Sequence, residues 1–277
     1  MNKPAYIIEG YKVYAEDLNV VTTTLTEDYS NTQQQTNIEK THGYLVPILE
    51  SHRARRVLEV GCGVGTMVEE LNGLHFDAYG VDIYELLPFW KRLNRNQDRF
   101  AVIDAINTRL PFENEEMDFV YSFGVIEHVG HDGYPIMPHN CHEVRKKWLL
   151  ELLRVVRKGG SLLIGGPSRR FPFDTWHAGE TATTTQFEQY LWRRWHIPYH
   201  NPFSDRYYMT AYKDIRTYLA GVDVEIEPLS IAGYLQFSSL PPFARGVFDS
   251  YCRLLPRFLR DTGFNFWVMA LIKKTDS

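Results

Sequence analysis

The chain has 277 residues, 44% hydrophobic and 23% charged, with a net charge of −4 and three cysteines. That length buries a substantial core, and the acidic balance excludes a nucleic-acid binder that works through bulk electrostatics. No apolar run approaches the ~20 residues that cross a bilayer, and Cys62, Cys141 and Cys252 are too few and too scattered for a disulfide framework or a zinc site. The N-terminal stretch shows no apolar core or cleavage site of a secretory signal. The expectation is therefore a reduced, cytoplasmic protein without stable membrane insertion or nucleic-acid partner.

Residues 1–50 are polar and without a strong period, and read as a cap segment ahead of a main domain over 51–277. From Arg56 a clear alternation begins. "RVLEVG" is an apolar run of strand length, and "TMVEELNGL" has helical spacing at Met67, Val68 and Leu71. "DAYGVD" is a second strand, followed by a helix that Pro88 enters early or interrupts. "RFAVID" and "DFVYSF" are two further strands, rich in β-branched and aromatic residues. "HEVRKKWLLELLRVVRKGG" predicts a helix on the spacing of Val144, Trp148, Leu152 and Val155, stopped at Gly159-Gly160.

"SLLIGG" opens a fifth strand, "VDVEIEPL" a sixth and "FNFWVMALIKK" a seventh. Short apolar strands alternating with helices predict an α/β fold: a doubly wound, mostly parallel sheet covered on both faces, its last strand antiparallel. Two inserts break the rhythm, at about 167–220 and 230–263. The first holds Trp176, Trp192, Trp195, Tyr199, Phe203, Tyr207 and Tyr208. The second holds Phe243, Phe248, Leu254, Leu255, Phe258 and Leu259 with arginines between them. These aromatics suit either a pocket for a flat or greasy small molecule or an aromatic core. The second insert suits a roof over that pocket better than a membrane-resting helix.

"VLEVGCGVGTM" at 57–67 carries the chemistry. Alternating glycines between a first strand and a first helix let a ligand approach the backbone closely. A dinucleotide site wants G-x-G-x-x-G. Counted from Gly61 and Gly63, the third glycine would be Thr66; counted from Gly63 and Gly65 it would be Val68. Both registers fail, and the pattern is E-x-G-x-G-x-G from Glu59 to Gly65.

With that spacing the sequence resembles the class I S-adenosylmethionine-dependent methyltransferases, of the small-molecule, ubiquinone-biosynthesis-like type. Further blocks carry the likeness. They are Asp82 at the end of the second strand, Asp104-Ala105 at the end of the third, "LPFENEEMDFVYSFGVIEHV" and "LLRVVRKGGSLLIGGP". Together they span residues 56 to about 170. The resemblance implies a Rossmann-like seven-stranded sheet and S-adenosyl-L-methionine as cofactor. It places the loop of Gly61, Cys62, Gly63 and Gly65 under the methionine part, with Glu59 orienting the loop and the amino group. It gives the ribose hydroxyls to Asp82, beside Ile83. The adenine goes to Asp104 and Ala105, with Phe123 at the fourth strand's end. Without that company the glycines read as a tight turn, and the two aspartates as helix N-caps.

Methyl transfer from a sulfonium is an in-line displacement by an aligned acceptor. A hydroxyl acceptor must also lose its proton. Histidine titrates near neutral pH, and His128, His131 and His177 fall where the carboxyl edge of such a sheet is expected. His139 and His142 read as exposed residues at a helix start. Some relatives hold a divalent metal through E-x-x-E-H. Here Gly124 stands in place of the first carboxylate, so no metal is expected.

The expected activity is O-methylation of a hydroxyl on a small molecule, such as a secondary metabolite, quinone, glycan or lipid-like acceptor. N- or C-methylation is the alternative, and a non-catalytic cofactor-binding scaffold and a nicotinamide oxidoreductase are the competing classes.

Overall fold

The computed structural model describes residues 27–83, 90, 99–103, 105–106, 109–130, 140–174, 185–204, 207–234 and 242–275. Its frame is a seven-stranded sheet in the order β3-β2-β1-β4-β5-β7-β6. The strands are β1 Arg56–Val60, β2 Asp77–Asp82, β3 Phe100–Val102, β4 Met117–Phe123, β5 Val156–Pro167, β6 Val224–Pro228 and β7 Trp267–Lys274. β1 to β5 are parallel neighbours, whereas β7 runs antiparallel to both β5 and β6. This is the sheet the strand pattern predicted.

Alternate residues of each strand enter two separate cores, which is why the strands read as unbroken apolar runs. Val57, Phe119, Tyr121, Leu163 and Met269 face one core, together with Tyr44, Leu45 and Leu49. Leu58, Val120, Leu162, Ile164 and Val268 face the other, with Trp148, Leu149 and Leu152. The first core is roofed by α1 (Glu27–Lys40), a π-turn over Thr41–Leu45, α2 (Val46–Ser51) and α3 (Thr66–Gly73). The ladder widens next to Pro47, whose nitrogen has no proton to donate. The described part of the polar leader, 27–51, is thus helical through packing; α1 shows little amphipathic period of its own.

The second core is covered by α4 (Cys141–Val155) and α6 (Tyr212–Tyr218), with α5 (Gln186–Trp195) between them in the chain. α4 ends earlier than its sequence suggests. Val156 is already extended and starts β5, while Gly159, at φ +68°, lies inside the strand assignment. β-branched Val155-Val156 and pairing of Val156 with Met117 explain the early stop. His142 is half-buried rather than exposed, its Nδ1 2.6 Å from the Tyr218 hydroxyl.

Arg145 on α4 is fully buried. Its Nε donates to the Val129 carbonyl (3.1 Å), and its Nη2 donates to the carbonyls of Glu127 (3.1 Å) and Tyr208. One guanidinium therefore clamps the loop after β4 to the insert after β5. Replacing it strands three buried carbonyls at ~1–3 kcal/mol each before relaxation. Arg145→Ala is expected to lower the unfolding free energy by about 3 kcal/mol or more, read from the urea midpoint at constant slope.

Candidate active site

The strand order reverses between β1 and β4, and in open sheets ligands bind at the carboxyl edge of such a switch point. The glycine loop leaves β1 there. Gly61 and Cys62 both donate backbone N–H groups to the Val81 carbonyl, at 2.8 and 3.1 Å, which folds the loop back over β2. Gly61 sits at φ +83°, and a Cβ on it would come 2.3 Å from a methyl of Val125. Only glycine fits. Gly63 donates to Asp82 Oδ2 at 2.8 Å, its carbonyl accepts from Trp90 Nε1 at 2.9 Å, and a Cβ there would meet nothing within 4 Å. The loop is thus held from below and bare above, as a cradle for a ligand. Burial pushes the Cys62 thiol well up, which makes it an inert filler beside Gly80.

Glu59 pairs in register with Gly80 on one side and Tyr121 on the other. It is buried, and its Oε2 has no hydrogen-bond partner among the described residues. Burial raises its carboxyl well above the ordinary range; the Tyr121 hydroxyl opposes that rise, Asp82 adds to it and Lys40 opposes it. Lys40, the last residue of α1, shares this pocket. Burial lowers its ammonium from the usual lysine value, partly offset by Glu59, and its Nζ lies 4.8 Å from the centre of the Tyr234 ring.

Tyr234 anchors an aromatic wall. Its ring centre is 5.4 Å from Tyr44, 5.1 Å from Phe123 and 5.7 Å from Trp267. Burial raises its hydroxyl pKa, with contributions from Glu127 and Glu59 in that order. Glu127 is itself buried, and a Cβ on Gly166 would lie 3.1 Å from its Oε2.

Where they are described, the expected cofactor residues lie along the carboxyl edge of the sheet. Glu59, Gly61, Cys62, Gly63 and Gly65 form the loop, Asp82 and half-buried Ile83 end β2, half-buried Ala105 follows β3, and Phe123 ends β4. Asp104 lies outside the described residues, as do His131, His139 and His177. His128 is described but exposed. A tight turn, with the His128 N–H bonded to the Val125 carbonyl, turns Glu127 inward in its place.

The aromatics of the first insert divide between core and surface. Tyr207 and Tyr208 are core residues, and the Tyr208 hydroxyl donates to Asp174. Trp195 and Phe203 are exposed. Trp176 lies outside the described residues. Tyr44, Phe123, Tyr234 and Trp267 of the aromatic wall come from other segments, and Lys40 comes from a polar leader with no motif to mark it. The inward Glu127 had a signal, since it adjoins the histidine of "IEHV".

Residues 58–164, less than half of the chain, match the family model described as a methyltransferase domain. Over that stretch, from β1 into β5, the chain resembles a methyltransferase domain.

Several solved structures resemble the chain. One is a chain of the complex between the Haloferax volcanii Trm112 methyltransferase activator and a methyltransferase. It is 14% identical, with 97% of this chain and 99% of that chain covered and a TM-score of 0.50. A SAM-dependent methyltransferase from Thermotoga maritima is 14% identical, with 96% and 100% covered and a TM-score of 0.48. Phosphoethanolamine N-methyltransferase 2 of Haemonchus contortus, solved with S-adenosyl-L-methionine, is 15% identical, with 97% and 61% covered and a TM-score of 0.46. At such identities the likeness concerns the fold alone. No curated protein matches the sequence.

Two outcomes follow from this geometry. Asp82→Ala removes a carboxylate that braces Gly63, and is expected to weaken S-adenosylhomocysteine binding tenfold or more by titration calorimetry. For Glu59 the folded pKa lies above the unfolded one, so the folded chain keeps a proton that the unfolded chain has released. That contribution is complete below the ordinary carboxyl pKa of 4.5 and is lost as pH rises through the folded value. Glu59→Gln should therefore stabilise the ligand-free protein at neutral pH, raising its melting temperature, while it weakens cofactor binding.

Proposed function

We propose that the methyltransferase transfers the methyl group of S-adenosylmethionine to a hydroxyl of a small-molecule acceptor, with Glu127 receiving the hydroxyl proton. The observation that carries this reading is the placement of Glu127: a buried carboxylate against Gly166 near the carboxyl end of β5, on the same sheet edge as the glycine loop.

The residues present fit the cofactor. Glu59 offers a buried carboxyl group whose ionised form the cofactor's ammonium would stabilise, the bare face of the glycine loop accepts its methionine part, and Asp82 faces its ribose beside Ile83. Ala105, with Asp104 beside it in sequence, and Phe123 complete the adenine side. Lys40 is assigned to the cofactor's carboxylate, because a half-buried ammonium beside Glu59 matches the paired charges of an amino acid. When bound, the cofactor supplies an already activated methyl group. The chain's own part is to align the acceptor, exclude water with the wall of Tyr44, Phe123, Tyr234 and Trp267, and hold a proton acceptor near the attacking oxygen. Aromatic faces also suit a sulfonium by cation–π attraction.

Glu127→Gln is expected to lower turnover about 10²-fold or more while S-adenosylhomocysteine affinity is retained. Turnover that survives the change would remove Glu127 as the base. Mass spectrometry of a panel of hydroxyl and amine compounds incubated with methyl-labelled cofactor identifies the acceptor atom, and labelled amines alone would sink the hydroxyl reading. Lys40→Met should weaken S-adenosylhomocysteine about tenfold or more yet leave 5′-methylthioadenosine, which lacks the carboxylate, unaffected. Equal losses for both ligands would place Lys40 elsewhere.

A further inference from the structure

Helix α7 (Pro242–Leu254) and the 3-10 turn Arg257–Leu259 carry more apolar surface than the fold uses. Cys252 and Leu255 are buried and tie the helix to the body, helped by Ser230 Oγ donating to the Cys252 carbonyl at 2.9 Å. A second stripe at helical spacing points outward: Val247 is 66% exposed, Tyr251 40% and Leu254 78%, with Phe258 beyond them at 76%. A soluble surface rarely leaves so contiguous an apolar face without a use.

The charge around this stripe is the reverse of the chain's. Between Pro242 and Arg260 stand four arginines and one aspartate, in a chain of net charge −4. Arg245, Arg253 and Arg257 are exposed beside the apolar stripe, Arg253 paired with Asp249 at 3.0 Å and Arg257 with Glu227, which leaves the face a net positive charge. The face continues past the helix. The Tyr251 hydroxyl donates to the Phe264 carbonyl, and Phe264 is 59% exposed. A Cβ on Gly263 would come 2.6 Å from the Arg170 carbonyl, and the Arg170 guanidinium lies 5.6 Å over the ring of Phe203, 80% exposed.

This surface leads into Trp267, which pairs with Pro167 at the carboxyl edge of β5, the edge that bears Glu59 and Glu127. Exposed leucine and phenylalanine interleaved with arginine complement a layer with anionic headgroups above acyl chains. Among the described residues no helix is long and apolar enough to cross a membrane.

We propose that this methyltransferase docks by the α7–Phe264 face on an anionic lipid bilayer, in the plane of the headgroups, with its active-site edge toward the membrane. The proposal requires no particular acceptor atom. The full-length protein should cosediment with phosphatidylcholine vesicles that contain phosphatidylglycerol, much less with pure phosphatidylcholine, and less as salt rises. Leu254→Glu and Phe258→Glu should each cut vesicle binding tenfold or more while S-adenosylhomocysteine affinity and melting temperature hold. Arg253→Ala and Arg257→Ala should each cut it up to about fivefold. The proposal is overturned by absence of sedimentation with the anionic vesicles at low salt, or by vesicle binding that Leu254→Glu and Phe258→Glu leave intact. Analytical ultracentrifugation showing a dimer that Leu254→Glu dissociates would assign the face to a second copy of this chain and overturn it equally.

Discussion

A carboxylate buried on the face of a β-sheet is the constraint on which the site depends. Glu59 stands where an apolar side chain would suit the core, between Gly80 and Tyr121 in the neighbouring strands. Taking a carboxylate out of water costs several kcal/mol unless it is protonated or paired. Tyr121 stands beside it in register and Lys40 comes from α1, and both oppose the rise that burial imposes on its pKa. The helices of residues 27–51 are therefore part of the site's electrostatics as well as its roof. The ligand-free pocket is left with an unfavourable arrangement that a ligand's ammonium relieves, so binding strength and apo stability are opposed at one residue.

The second organising feature is the joining of loop and sheet edge by few, short contacts. Asp82 receives the Gly63 N–H, Trp90 donates to the Gly63 carbonyl and stacks on Phe100 at 5.1 Å, and Val81 takes two N–H groups from the loop. The backbone is preorganised before any ligand arrives, so ordering costs on binding are small. Rigidity here contrasts with the acceptor side, where Glu127 and Tyr234 belong to turns held by Arg145 and by packing on Trp267.

The insert after β5 is divided between two roles. Its inner part is a polar core of its own. Arg169 grips Asp214 at 2.6 Å, buried His200 bonds the Arg169 carbonyl at 3.0 Å and stacks on Tyr207, and Glu188 closes a capping box with Thr185 while accepting the Asn201 N–H. These bonds satisfy groups that a long irregular segment would otherwise bury unpaired. Its outer part, with Phe203 over Arg170, joins the arginine-rich face of α7 and leaves the aromatic surface facing out.

Much of this was legible in the sequence because it is local. Strand and helix periods, the E-x-G-x-G-x-G spacing of Glu59 to Gly65, and Asp82 at a strand's end are properties of neighbouring residues, and the resemblance they carry implied fold and cofactor together. What escaped the sequence is what distant segments do to one another. Lys40 lies in a polar leader without a period, and only its helix packing beside β1 brings its ammonium to Glu59. His128 and Glu127 are adjacent in the chain, and the turn after β4 alone decides that the carboxylate points in and the imidazole out. Aromatic density singled out the 171–212 segment, yet Tyr44, Phe123, Tyr234 and Trp267 build the wall, because it forms where four remote pieces of chain meet. Local pattern specified the elements and the loop; long-range packing chose which side chains share a pocket.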